Sequence, residues 1–75
     1  MKEHDRVVLT FSVPEAGLEA GDVGTVVHVY SDGQAYEVEF VALDGETAAV
    51  VTLETNQLRP ARKQEIAHAR TLAVA

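Results

Sequence analysis

The stretch that decides the fold is Ala20–Leu53, AGDVGTVVHVYSDGQAYEVEFVALDGETAAVVTL. It contains two Asp-Gly pairs, Asp32-Gly33 and Asp44-Gly45, each set between alternating apolar runs. Asp-Gly in that setting is a hairpin signal, because a type I′ turn needs positive φ at both central residues. Two-residue loops at both sites give three antiparallel strands. The first loop sets Tyr30 beside Ala35, Val29 opposite Tyr36, His28 opposite Glu37, Val27 opposite Val38 and Val26 opposite Glu39. The second sets Val41 opposite Ala48, Phe40 opposite Ala49, Glu39 opposite Val50, Val38 opposite Val51, Glu37 opposite Thr52 and Tyr36 opposite Leu53. The two registers are independent, yet they agree on one buried face of Val27, Val29, Tyr36, Val38, Phe40, Ala49, Val51 and Leu53. A slip of one residue at either turn would pair that face with the wrong side of its neighbour.

Before the meander, Arg6–Phe11 (RVVLTF) reads as a short strand, with Val7, Leu9 and Phe11 inward and Val8 and Thr10 on the other side. Pro14 ends regular pairing, Pro14–Gly17 holds one helical turn, and Leu18 tucks back as a plug. After the meander, Glu54–Gln57 reads as a single 3₁₀ turn and Leu58–Pro60 as a final short strand. Five short strands with a long first loop describe an all-β domain, a small five-stranded SH3-like antiparallel barrel over residues 1–60. Residues 61–75, ARKQEIAHARTLAVA, change character. They form a basic, alanine-rich tail, expected to be helical or disordered. Glu65 follows Arg62 by three residues, and Ile66, Ala69, Leu72 and Ala73 make a weak apolar stripe. As a helix the tail would dock on the acidic barrel, its own or a neighbour's.

Seventy-five residues make one domain, close to the size at which a single core becomes marginal. The absence of cysteine removes disulfides and thiolate zinc sites. No apolar run approaches the roughly 18 residues of a membrane span, and the MKEHDRVV start lacks the apolar core of a secretory signal. A bacterial-type cytoplasm is the default expectation. The net charge of −6 hides a division: Val7–Leu58 holds nine acidic residues and no Lys or Arg, whereas the tail from Arg59 is net basic. Such a barrel repels phosphate backbones, since duplex binding rests on Lys and Arg neutralising phosphates.

No catalytic or cofactor motif stands out. His28 and Glu37 are outward cross-strand partners with Thr52 next in the row, and they read as a solvated ion pair, because a catalytic dyad needs a cleft and a third orienting group. Glu37 and Glu39, roughly 7 Å apart on one strand, follow ordinary polar alternation. Asp44-Gly45-Glu46 lacks the further ligands of a calcium loop, His4, His28 and His68 lack zinc spacing, and Gly21–Gly24 lacks the lysine of a phosphate loop. The expectation is therefore no enzyme, no cofactor and no metal. The outward face is more informative. It combines Val26, His28, Tyr30, Glu37, Glu39 and Val50, with Val41 nearby. β-Branched residues outside can serve strand propensity alone. The other reading is an apolar patch rimmed with acid, fit to bind a basic protein.

The motifs Gly21–Val27 (GDVGTVV), Ala35–Phe40 (AYEVEF), Val51–Leu53 (VTL) and Gln57–Pro60 (QLRP) resemble those of a family of small bacterial proteins catalogued as domain of unknown function 4926. The resemblance covers roughly residues 6–60 and implies the SH3-like barrel. The Gly-x-x-Gly-Thr-Val segment also resembles the opening strand of KOW-type barrels, a likeness that suggests fold and not activity. The function expected is a non-enzymatic protein-interaction module, such as an antitoxin or immunity partner of a basic protein. The alternative is an accessory subunit that stabilises a larger enzyme. Nucleic acid and membrane are not expected partners. The chain is expected as a monomer, or as a homodimer through edge pairing or tail exchange.

Overall fold

The computed structural model describes residues 1–72. Five strands, β1 (Arg6–Leu9), β2 (Val23–Val29), β3 (Ala35–Val41), β4 (Thr47–Glu54) and β5 (Leu58–Pro60), form one antiparallel sheet. The order is β4-β3-β2-β1-β5, as expected of an SH3-like barrel. Single 3₁₀ turns fill Pro14–Ala16 and Thr55–Gln57. The second is held by a reciprocal capping box, with Glu54 N–H donating to Gln57 Oε1 at 2.8 Å. Among the described residues no helix is long and apolar enough to cross a membrane.

Both Asp-Gly pairs form the hairpin tips, but neither is a two-residue type I′ loop. Gly33 and Gly45 have φ of 69° and 94°, whereas Asp32 and Asp44 keep negative φ. Gly33 N–H donates to Tyr30 O, and Gly45 N–H donates to Ala42 O. Each tip is thus a turn closed by a left-handed glycine, and the loops are longer: four residues after Tyr30, which still pairs with Ala35, and three after Ala42, which pairs with Glu46. The aspartates act through their carboxylates: Asp32 Oδ1 accepts from Gln34 N–H and Asp44 Oδ1 from Glu46 N–H, both at 3.0 Å. This is the local side-chain bond that favours aspartate in turns. Beyond the second tip Val41 pairs with Thr47 instead of Ala48, and from Phe40–Ala49 to Tyr36–Leu53 the ladder runs as the sequence predicts.

The first ladder departs from expectation within β2. Val29–Tyr36 and His28–Glu37 pair as predicted, but then a bulge intervenes and Val26, not Val27, faces Val38. Two consecutive side chains, Val27 and His28, therefore point outward, and the inward phase moves to Gly24 and Val26. Val26 is 0% exposed in the core and Val27 is 40% exposed, the reverse of their expected places. Gly24 supplies the reason. A Cβ there would lie 2.7 Å from Val38 Cγ1, 2.8 Å from Phe40 Cε1 and 3.0 Å from Glu39 O. Only glycine lets β2 cross β3 this closely, and the bulge sets the phase that aims this bare position inward while adding local twist.

The core gathers Val7, Leu9, Val13, Leu18, Val26, Tyr36, Val38, Phe40, Leu53 and Leu58. Leu18 is the expected plug, tied back by a bridge to Val13. Phe11 does not join them and is 58% exposed. β1 ends at Leu9, Thr10 N–H donates to Gln57 O, and the chain turns so that Val13 takes the inward place. Among the described tail residues, 61–72, no helix forms. Gln64 takes a left-handed φ of 67°, and a helix this short has too few hydrogen bonds to persist alone. Ile66, in the expected apolar stripe, is 93% exposed; Ala73 of that stripe lies outside the described residues. β4 ends the sheet order, and among the described residues no strand pairs with its outer edge.

The bulge gives a direct mutational contrast. Val26→Ala is expected to cost about 2–3 kcal/mol as a core truncation, and Val27→Ala to stay within about 0.5 kcal/mol. Gly24→Ala should cost about 1–3 kcal/mol by overpacking. Urea denaturation midpoints at unchanged slope measure all three. Equal losses at Val26 and Val27 would contradict the bulged register.

Candidate interaction surface

Two groups of side chains stand out, one on the outer face of β2–β4 and one where the tail meets the first loop. On the outer face the residues form rows across the strands. His28, Glu37 and Thr52 make one row, and Thr25, Glu39 and Val50 the next. The edge strand β4 positions both carboxylates: Thr52 Oγ1 donates to Glu37 Oε1 at 2.5 Å and Thr47 Oγ1 donates to Glu39 Oε2 at 2.7 Å. The His28 and Tyr30 rings meet edge to face, with centroids 4.9 Å apart and planes at 89°.

The structure therefore brings together five of the six residues expected on this surface: His28, Tyr30, Glu37, Glu39 and Val50. The sixth, Val26, is a correction, since the bulge buries it and puts Val27 on the face beside His28. Val50, at 53% exposure, is the most open of the face's apolar side chains. Among the described residues no hydrogen bond joins His28 to Glu37, whose carboxylate is taken by Thr52. Among those residues there is also no cluster of His, Cys, Asp or Glu arranged to hold a metal ion.

The second group was only half visible in the sequence. The tail is pinned at two points. Near its start Arg59 grips Glu65 with both terminal guanidinium nitrogens, Nη1 and Nη2, at 3.0 and 2.6 Å, and Glu65 also accepts from Arg62 N–H. The arginine hydrogen bonds lead in holding the Glu65 carboxyl down to about 2, and they raise Arg59 above its ordinary value. Further on, Arg70 reaches Asp22 through two bonds, Nε to Oδ1 at 2.8 Å and Nη2 to Oδ2 at 2.5 Å. Nη2 also donates to Gly17 O at 3.1 Å, and Nη1 lies 3.4 Å from Glu19 Oε2. Asp22 Oδ2 further accepts from Glu19 N–H at 2.8 Å. Burial pushes the Asp22 carboxyl up, but the hydrogen bonds from Arg70 and Glu19 N–H, with the Arg70 charge, outweigh it and hold the carboxyl below its ordinary value.

The path of the tail explains one further burial. Val8 points outward in a row with Val23 and Arg59. It is buried without belonging to the core cluster. The tail flanks it there, with Ala61, Ile66 and Ala67 around the same hollow. The split between an acidic barrel and a basic tail was the available signal. The choice of Asp22, 48 residues from Arg70, has no local pattern that could mark it.

The ion pairs carry a pH dependence. Asp22 and Glu65 have folded pKa values below their ordinary ones. Their contribution to holding the tail is therefore complete above the unfolded carboxylate range near 4 and lost as pH falls through the folded values. The Arg70 Hε signal in NMR spectra should stay sharp and shifted at pH 6 and merge with solvent-exposed arginines as pH falls through the lowered Asp22 pKa. An Arg70 signal unchanged by Asp22→Asn at pH 6 would refute the pairing.

Comparison with known proteins places residues 3–60 on the family model described as Domain of unknown function (DUF4926). No curated protein matches the chain, and no solved structure matches it.

Proposed function

The chain belongs to that family, a domain of unknown function, and we propose that it is a non-enzymatic protein-interaction module for a basic protein partner. The observation that carries this reading is the outer face of β2–β4. Glu37 and Glu39 are each held by a threonine hydroxyl, so little side-chain freedom remains to be lost on binding. Around them Val27, Tyr30 and Val50 are exposed. Pre-ordered carboxylates beside apolar side chains suit a partner that offers Lys or Arg with an apolar centre. No Lys or Arg lies between Val7 and Leu58, so nothing on the strands of this face competes for those carboxylates, and a phosphate backbone is repelled. A nucleic-acid-cleaving protein with a basic cleft, held neutral by this face in the cytoplasm, is one such partner.

Glu37→Lys/Glu39→Lys, a surface change expected to leave the fold intact, tests the reading. Affinity capture from the source cells with the native chain should retain one basic protein in stoichiometric amount at low salt and lose it at high salt. The double variant should fail to retain it even at low salt. Equal retention by both chains, or no retention by either, overturns the proposal.

A further inference from the structure

We propose that the end of the barrel beside Asp22 is a second binding site, for an extended segment that carries an arginine and, two residues on, an apolar side chain, and that the chain's own Arg70-Thr71-Leu72 occupies it in cis. This site lies apart from the face of Glu37 and Glu39 and does not depend on it.

The arginine half is a socket. The first loop folds back at Gly17, whose left-handed φ of 72° turns its carbonyl to the ligand side of the 3₁₀ turn, where it accepts from Arg70. Asp22 follows as the chain bends into β2. Its side chain is only 18% exposed, and Glu19 N–H fixes one of its oxygens. Two carboxylate oxygens and one carbonyl thus face one planar guanidinium, with Glu19 adding charge at the rim. That fork geometry fits arginine; a lysine ammonium, a point donor, cannot span both oxygens of Asp22 in this way.

The apolar half is a groove of about 460 Å³ that runs from the socket to the β3–β4 hairpin tip. Leu18, Phe40, Val41, Leu43 and Ala48 line the barrel side, and Leu72 lies on the tail side. The tail fills it poorly: Val41 remains 47% and Leu43 89% exposed. An arginine-bearing segment with a larger apolar side chain at the position of Leu72 would cover more of this wall. The socket and the barrel wall of the groove lie inside residues 3–60, which match the family model, whereas Arg70 lies beyond them. The occupant is therefore an appendage to the domain, held by ionic contacts with little apolar burial, which a better-fitting segment can displace.

The test uses the full chain and a fluorescent peptide with the sequence of residues 63–75, KQEIAHARTLAVA. Arg70→Ala empties the socket without touching the core. Because the cis segment acts at an effective concentration in the millimolar range, the native chain should bind the peptide at least about tenfold more weakly than Arg70→Ala. Replacing the peptide's arginine by lysine or glutamine should abolish binding to Arg70→Ala, a comparison that leaves the protein unaltered. Adding Asp22→Asn to Arg70→Ala should abolish it as well, while Glu37→Lys/Glu39→Lys should not. Peptide binding that ignores the arginine, or no peptide binding to Arg70→Ala, overturns the proposal and leaves the reading of the outer face standing.

Discussion

The sheet depends on how closely β2 can approach β3 at Gly24. Val38 and Phe40 fill the space where a side chain at that position would sit, so the core is continuous across the crossing. Curving a small sheet around its core requires its strands to coil strongly, and glycines and bulges supply that coil. Here the two devices are linked. The bare residue must face inward, and the additional residue at Val27 makes the inward phase fall on Gly24 and Val26 while the turn-proximal pairs Val29–Tyr36 and His28–Glu37 stay in register. The outer face inherits the result, with Val27 and His28 side by side on a single surface.

That surface and the tail show two ways in which an acidic barrel manages its charge. Nine acids with no intervening Lys or Arg would repel one another. Glu37 and Glu39 are satisfied by neutral hydroxyls and keep their charge for the outside. Asp22 and Glu19 instead receive a cation from the chain's own end. One face stays open to solvent, and the other is covered by a segment that flanks the buried Val8 as well.

The strands and most of their pairing are legible in the sequence because period-two alternation and Asp-Gly punctuation are local signals. Tyr36, Val38, Phe40 and Leu53 fall inward by that pattern alone. The turn type is less legible: Asp-Gly serves the type I′ loop and the turn-plus-left-handed-glycine equally, and the Asp32 and Asp44 carboxylates favour the second. Val26 and Val27 are neighbours of identical chemistry, so no pattern separates them; only the volume of Val38 and Phe40 against Gly24 does. Phe11 continues an alternation that is cut when β1 stops at Leu9. A helix, one of the two forms expected of the tail, rested on propensity alone, and in residues 61–72 the ion pairs of Arg59 and Arg70 prevail over so weak a preference.

Among the described residues the outer edge of β4 has no strand beside it, and charge limits what can join it. Were two copies to join antiparallel along it about Val50, Glu46 of each would stand opposite Glu54 of the other. Both ends of such a ribbon would set like charges face to face, which destabilises cross-strand pairs. In that register the longest strand of the sheet resists self-templated growth, the hazard of any long bare edge, through two glutamates that take no part in its core.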